Sequence, residues 1–327
     1  MIAYIARRVL YSIVLLIGVS IIGFAVIQLP PGDYLTMYVM ELEARGDKSA
    51  VQHLEELKAR YGLDRPMYQQ YWIWITHFVR GDFGRSFKYE LSVRELVGQR
   101  LALTAVLTLA TMLLTWVIAI PIGIYSATHQ YSLGDQMFTT ISFIGLGTPG
   151  FLLALILLFI SAFYFGQSIG GLFSPEFVDA PWTLAKFIDL LKHLWVPALI
   201  TGVSGTASLI RIMRANLLDT LGQPFVLAAR AKGLKERVVI LKHAVRIAIN
   251  PLISIMGMSL PDIISGAALV SIVLNLPTAG PLFLEALRSQ DMFLAGTFLM
   301  FLTIMLVIGN LLADIALAWA DPRIRYD

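Results

Sequence analysis

Residues 9–29 read VLYSIVLLIGVSIIGFAVIQL, an unbroken run of 21 residues without a charged side chain, preceded directly by Arg7 and Arg8. Coiled as a helix, a run of that length crosses the hydrocarbon core of a bilayer. It is long for the apolar region of a signal peptide, and no A-x-A-like site follows it. We read it as a membrane anchor that stays in the chain.

Five further runs are predominantly apolar. With the first they place spans at 9–29, 101–127, 137–165, 194–213, 250–274 and 293–319. The composition agrees: 57% of the 327 residues are hydrophobic and 14% are charged, where a soluble domain carries about a quarter charged. A membrane β-barrel would instead show short alternating segments. The expected fold is therefore an all-α, polytopic membrane protein of about six spans. With no cysteine in the chain, disulfides and thiol chemistry are excluded.

Charge sets the orientation. Segment 211–248 carries eight basic residues, Arg211, Arg214, Arg230, Lys232, Lys235, Arg237, Lys242 and Arg246, against Asp219 and Glu236. Arg7 and Arg8 flank the first span, and Arg323 and Arg325 lie in the tail, while loops 166–193 and 275–292 are each net −1. The positive-inside rule then puts both termini and 211–248 on the cytoplasmic side. Three regions follow: an N-terminal helix (1–29), an extracytoplasmic subdomain (30–100) and a core of five spans (101–327) with a cytoplasmic loop at 214–248. The subdomain holds ten acidic and ten basic residues. Within it Ser49 to Tyr61 has helical character. Tyr68, Tyr71, Trp72, Trp74 and Phe78 form an aromatic face, for the membrane interface or for the subdomain's own core.

The cytoplasmic loop contains the most informative stretch, FVLAARAKGLKERVVILKHAVRIAINPLI at 225–253. Pro224 suits the first turn of a helix, and Gly233 suits the left-handed position that ends one. Between them lies a helix of about 13 Å, smooth with Ala228, Ala229 and Ala231. A second helical run sets Val238, Leu241, Val245 and Ile249 on one face, opposite Lys235, Lys242 and Arg246. Such an element calls for a protein partner, or for an anionic lipid surface.

Ala228-Ala229-x-x-x-Gly233 resembles the "EAA" loop of ABC importer permeases. LAARAKGL followed by KHAVRIAINP is similar to its form in the dipeptide and oligopeptide branch. ARRVLYSIVLLIGVSIIGF, PPGD, RYGLDRP, RGDFGRS, WVPALITGVSGTASLIRIMRANLLDTLGQPFV and DPRIR occur in the order found in the B-type subunit of that branch. Leu227 stands where the loop's glutamate would be, and His243 to Arg246 replace a terminal I-x-L-P. The resemblance implies a type I permease whose loop docks on a separate ATPase through Gln223, Pro224, Phe225, Ala228, Ala229, Arg230, Lys232, Gly233 and Leu234. It further implies a second homologous permease, making a heterodimer, and two cytoplasmic P-loop ATPases that carry ATP and Mg. An extracytoplasmic solute-binding protein completes the set. No cofactor is expected on this chain, and no nucleic-acid partner.

The chain has no G-x-x-x-x-G-K-[ST], no H-E-x-x-H and no zinc-ligand spacing among its five histidines. GQSIG at 166–170 matches G-x-S-x-G but follows a membrane run instead of a strand. The chain reads as a transport subunit without its own ATP site and not as an enzyme. Asp262, within the fifth span, would face a pathway, another helix or an interface. The branch often carries a glutamate before the segment matching IVLNLPTAG, where this chain has Ser271. That residue, with Asn275, Pro277 and Thr278, is a candidate for the outer part of the pathway. A neutral pathway suits an uncharged solute better than a cation. Peptides and short oligosaccharides both remain open as cargo. A stand-alone secondary transporter would need midplane ion sites and inverted repeats.

Overall fold

The computed structural model describes residues 2–29, 65–86, 88–89, 91–166 and 169–320; the side chains of 2–6, 254, 256–259, 261–262, 265 and 313–320 are outside the description. The regular structure of the described residues is helical, with connecting turns and a lone bridge between Arg85 and Ser92. The expected helix at Ser49 to Tyr61, the PPGD segment, the tail arginines and the side chains of Asp262 and Asp314 lie outside the described residues.

The helices are α1 (Ile2–Gln28), α2 (Met67–Val79), α3 (Val93–Thr128), α4 (Leu133–Gly147), α5 (Gly150–Phe165), α6 (Leu184–Leu221) and α7 (Pro224–Ala231). A composite segment, α8 (236–248), leads into α9 (Asn250–Val273), α10 (Ala279–Arg288) and α11 (Met292–Ala320). Among the described residues four stretches are long and apolar enough to cross a membrane: Arg7–Gln28, Val93–Thr128, Leu184–Leu221 and Met292–Leu312. At 24 residues, α9 is about 36 Å long and reaches as far.

The run expected as one span at 137–165 is two helices, α4 and α5, bent by 102°. Pro149 has no N–H for the helix ladder, and its ring pushes the preceding residue out of the helical region. Thr148 accordingly sits at φ −99°, ψ 114°. Elsewhere helices outrun the apolar segments. The α3 helix begins at Val93 and α6 at Leu184, because polar flanking turns continue a helix without contributing hydropathy.

Packing divides the chain into two units. One comprises Met1–Leu103 with Thr278–Val307, the other Thr104–Pro277 with Ile308–Asp327. Residues 278–307 thus group with the N-terminal part.

In the first unit the aromatic face of α2 divides between core and surface. Trp74 is buried, with Tyr71 and Phe78 packed beside it, while Tyr68 and Trp72 are exposed. Residues 71, 74 and 78 fall on one helical stripe and 68 and 72 on the other. Phe24 lies 5.9 Å from Trp74 between ring centroids. Gly296 makes the approach of Trp74 possible, since a Cβ there would lie 2.8 Å from the indole. Buried Asp291 caps α11 by accepting the N–H of Leu294 (3.2 Å), and it also accepts Ser86 Oγ (2.5 Å) and the N–H of Lys88 (3.3 Å). Beside it Glu285 accepts Lys88 Nζ (2.5 Å) and the Tyr89 hydroxyl. The lysine holds the Glu285 carboxyl below its usual range, while burial and Glu285 push the Tyr89 phenol up to about 12. Asp291→Ala removes a cap and leaves the buried Ser86 O–H without its acceptor. It is expected to cost about 2 kcal/mol, read as a lower Tm in detergent.

In the second unit α6 is the axis, packed on α4, α5, α8 and α9. Gly123 admits Met213 and Gly202 admits Thr115, each with contact under 3 Å to a built Cβ. Small residues let backbones approach where lipid supplies no hydrophobic drive between helices. Arg214 clamps the buried Asp135 with two bonds of 2.8 Å, and the Tyr131 N–H adds a third at 2.9 Å. Between α5 and α6, buried Asp189 accepts both the N–H and the hydroxyl of Ser174 (2.8 Å each). Lys186 donates to the carbonyls of Val178 and Ala180 and lies over the rings of Phe173 and Trp182.

Candidate functional site

The basic loop forms as its sequence dictates. Gln223 is the N-cap of α7 and Pro224 its first residue. The stop is complete: Gly233 adopts φ +72°, its N–H donates to Arg230 O (2.9 Å), and the Leu234 N–H reaches back to Ala229 O (3.4 Å). These are the two bonds of a Schellman motif, closed by a left-handed residue. Across the turn Arg230 forks onto Glu236, with Nη2–Oε1 at 2.6 Å. The guanidinium holds the Glu236 carboxyl below its usual range. Both partners are exposed, so the pair sets the turn's register more than it adds stability.

One face of α7 is fixed to its own chain. Val226 and Ala229 are buried in a cluster with Met213, Leu217, Val239, Ala244 and Leu252. The other face is open: Phe225, Leu227, Leu234, Ala228 and Lys232 are all exposed. Apolar residues on this open face suit contact with another protein.

The face predicted for the following segment divides, with Val245 and Ile249 packed partly buried on that cluster. Val238 and Leu241 are exposed, whereas Val239, Ala244 and Ala248 are buried. The cause is a π-helical turn at Val239–Ala244. Its wider winding brings positions five apart, 239 and 244, onto one side, and the regular four-residue step to 248 and 252 then resumes. The segment buries that side within its own chain, so the partner-seeking surface is smaller than the sequence suggests.

A second candidate feature lies wholly in the second unit. A cavity of about 700 Å³ is bounded by α3, the α4–α5 break, α6 and α9. Thr115, Thr201, Ser204 and Ser208 line it with Trp116, Leu146, Phe151 and Ile263, the Thr201 hydroxyl itself being buried, and no ionisable side chain lines it among the described residues. Of the pathway residues expected from the sequence, Ser271, Asn275, Pro277 and Thr278 are not in its lining. Ser271 is buried one position past the lining residue Val270, and its hydroxyl has no partner. Asn275 is the left-handed stop of α9, at φ +50°, with the Leu276 N–H donating to Ser271 O (2.8 Å). Asparagine tolerates this conformation, which gives Asn275 a structural role. Pro277 follows it at the end of the unit, and Thr278, in the other unit, is the N-cap residue of α10 with a buried, unpartnered hydroxyl. Sequence reasoning missed Thr115, Thr201, Ser204 and Ser208, because hydroxyls on an apolar helix become a site only when a neighbouring helix faces them.

Residues 119–326 match the family described as binding-protein-dependent transport system inner membrane component. Residues 1–108 match its N-terminal membrane component. The chain is 36% identical over 327 residues to the oligopeptide transport system permease protein AppB of Bacillus subtilis, covering all of both chains. It is 28% identical over 342 residues to the dipeptide transport system permease protein DppB of Escherichia coli, covering 100% of this chain and 99% of that one. It is likewise 28% identical over 326 residues to the glutathione transport system permease protein GsiC of Escherichia coli, covering all of both.

Proposed function

Since the chain belongs to the family of binding-protein-dependent transport system inner membrane components, and is thus a multi-pass permease subunit of an ABC importer, we propose that α7 is its power input. The residues Gln223 to Leu234 dock on a separate cytoplasmic ATPase. The support is a short helix held on one face by its own chain, stopped by a rigid turn, and bare on the other face. A rigid projection of this kind transmits displacement of the ATPase to the helices beneath it.

The complete importer, on this reading, pairs this subunit with a second homologous permease and with two ATPases that bind ATP and Mg. An extracytoplasmic binding protein delivers the solute. This chain contributes no nucleotide site. Both termini and 211–248 face the cytoplasm, as the concentration of lysine and arginine there supports. The cavity beside α6 is this subunit's share of the solute path, opened alternately to either side. The cargo is short peptides, which the names of the three relatives support and which an uncharged, hydroxyl-bearing lining suits.

The test is uptake by the complete importer in proteoliposomes. Peptide accumulation should require ATP, the ATPases and the binding protein together. Uptake that persists after the ATPases are removed would instead indicate a secondary transporter.

A further inference from the structure

A glycine within a membrane helix commonly marks the close approach of a neighbour. Gly123 and Gly202 do so in the second unit, where an added Cβ would collide with Met213 and Thr115. Gly205 on α6 and Gly266 on α9 do not. Among the described residues a Cβ at Gly266 would meet nothing within 4 Å, and one at Gly205 would make only ordinary contact with Thr115 (3.7 Å). Neither has the left-handed backbone that favours glycine. Both line the cavity. Alanine would strengthen each helix, so what glycine supplies at these two positions is room in the cavity.

The walls define what that room accepts. The large lining side chains are apolar, Met112, Trp116, Leu146, Phe151 and Ile263 among them. A volume of about 700 Å³ lies in the range of small-molecule sites, which combine apolar and aromatic walls with few polar groups. A charged side chain entering here would find no opposite charge among the described lining residues, and it would lose its hydration without compensation. An apolar or aromatic one would leave water for contact with the Trp116 and Phe151 rings.

We infer that this cavity is a side-chain pocket, and that the cargo it favours is peptides carrying a large apolar or aromatic residue. The side chain enters the pocket while the charged ends of the peptide stay in the aqueous part of the path. The inference rests on the peptide reading given above and adds which peptides pass best.

The experiment gives the complete importer, in proteoliposomes, one of three cargoes: trialanine, Ala-Phe-Ala or Ala-Lys-Ala. Each variant rate is divided by the wild-type rate for the same peptide, so the binding protein's own preference cancels. Preparations are matched for the ATPase chains they retain, which sets misassembled complexes aside. Gly266→Leu fills the pocket from a position where the new Cβ touches nothing. Ser208→Asp places a carboxylate in the lining, and Ser208→Asn is its uncharged match in size.

Gly266→Leu is expected to lower Ala-Phe-Ala uptake about tenfold and trialanine uptake by less than about twofold. Ser208→Asp should raise Ala-Lys-Ala uptake about tenfold, where Ser208→Asn should not. Such a gain cannot come from a damaged subunit. The pocket is overturned if Gly266→Leu lowers all three peptides equally, or none. A Ser208→Cys thiol that soluble reagent never reaches during turnover overturns it too, since another subunit or a lipid then fills the cavity. A wild-type importer that takes up none of the three peptides overturns the peptide reading itself, before any variant is made.

Discussion

Gly233→Val is expected to abolish uptake and to weaken retention of the ATPases during purification, while leaving the subunit in the membrane. The reason lies in the backbone alone. A Cβ at this position meets nothing within 4 Å, so crowding plays no part. At φ +72°, however, an L-residue costs roughly 1–2 kcal/mol, and a β-branched one is a genuine outlier. The variant escapes by unwinding the turn. That displaces Leu234 and separates Arg230 from Glu236, disordering the surface offered to the partner. Asparagine is the control, because Asn275 performs the same role at the end of α9, at φ +50°. Gly233→Asn should therefore retain most uptake. Failure of the asparagine variant, or normal uptake by the valine variant, would remove the turn from the account.

The second large effect is expected at Arg214. Asp135 is 2% exposed and takes both its main side-chain bonds from this guanidinium. Arg214→Met leaves a buried carboxylate without its partner, a change that costs about 3–5 kcal/mol. Poor accumulation in the membrane and a lower unfolding temperature should follow. The double variant Asp135→Leu with Arg214→Met removes both charges and should recover most of the loss, since an apolar pair of similar volume can replace a buried ion pair. If the double variant is as unstable as the single one, the pair is not the cause.

These two sites differ in how far the sequence disclosed them. The stop at Gly233 was legible because local rules produce it, with proline opening the helix and glycine closing it nine residues later. The membrane spans were legible because hydropathy is a property of each run. The Asp135–Arg214 pair was not. Its members are 79 residues apart, and Arg214 was counted among the charges that set topology. The bend at Thr148–Pro149 carried a signal in the proline, yet membrane helices often absorb a proline, so the signal did not decide. The π-turn at Val239–Ala244 has no sequence mark, and it sets Val239 and Ala244 on one buried side. The cavity hydroxyls also stayed hidden, because which face of α3 meets α6 is set by packing and not by periodicity.

The central claim is that α7 is the contact through which an ATPase drives this subunit. The chain has no cysteine, so Leu227→Cys, on the exposed face of α7, is a unique reporter. In the assembled importer a short thiol cross-linker should join this residue to an ATPase chain, with a yield that changes when ATP binds. A Leu227→Cys importer that transports normally, but whose cysteine labels freely with soluble reagent and never cross-links to an ATPase, would contradict the account.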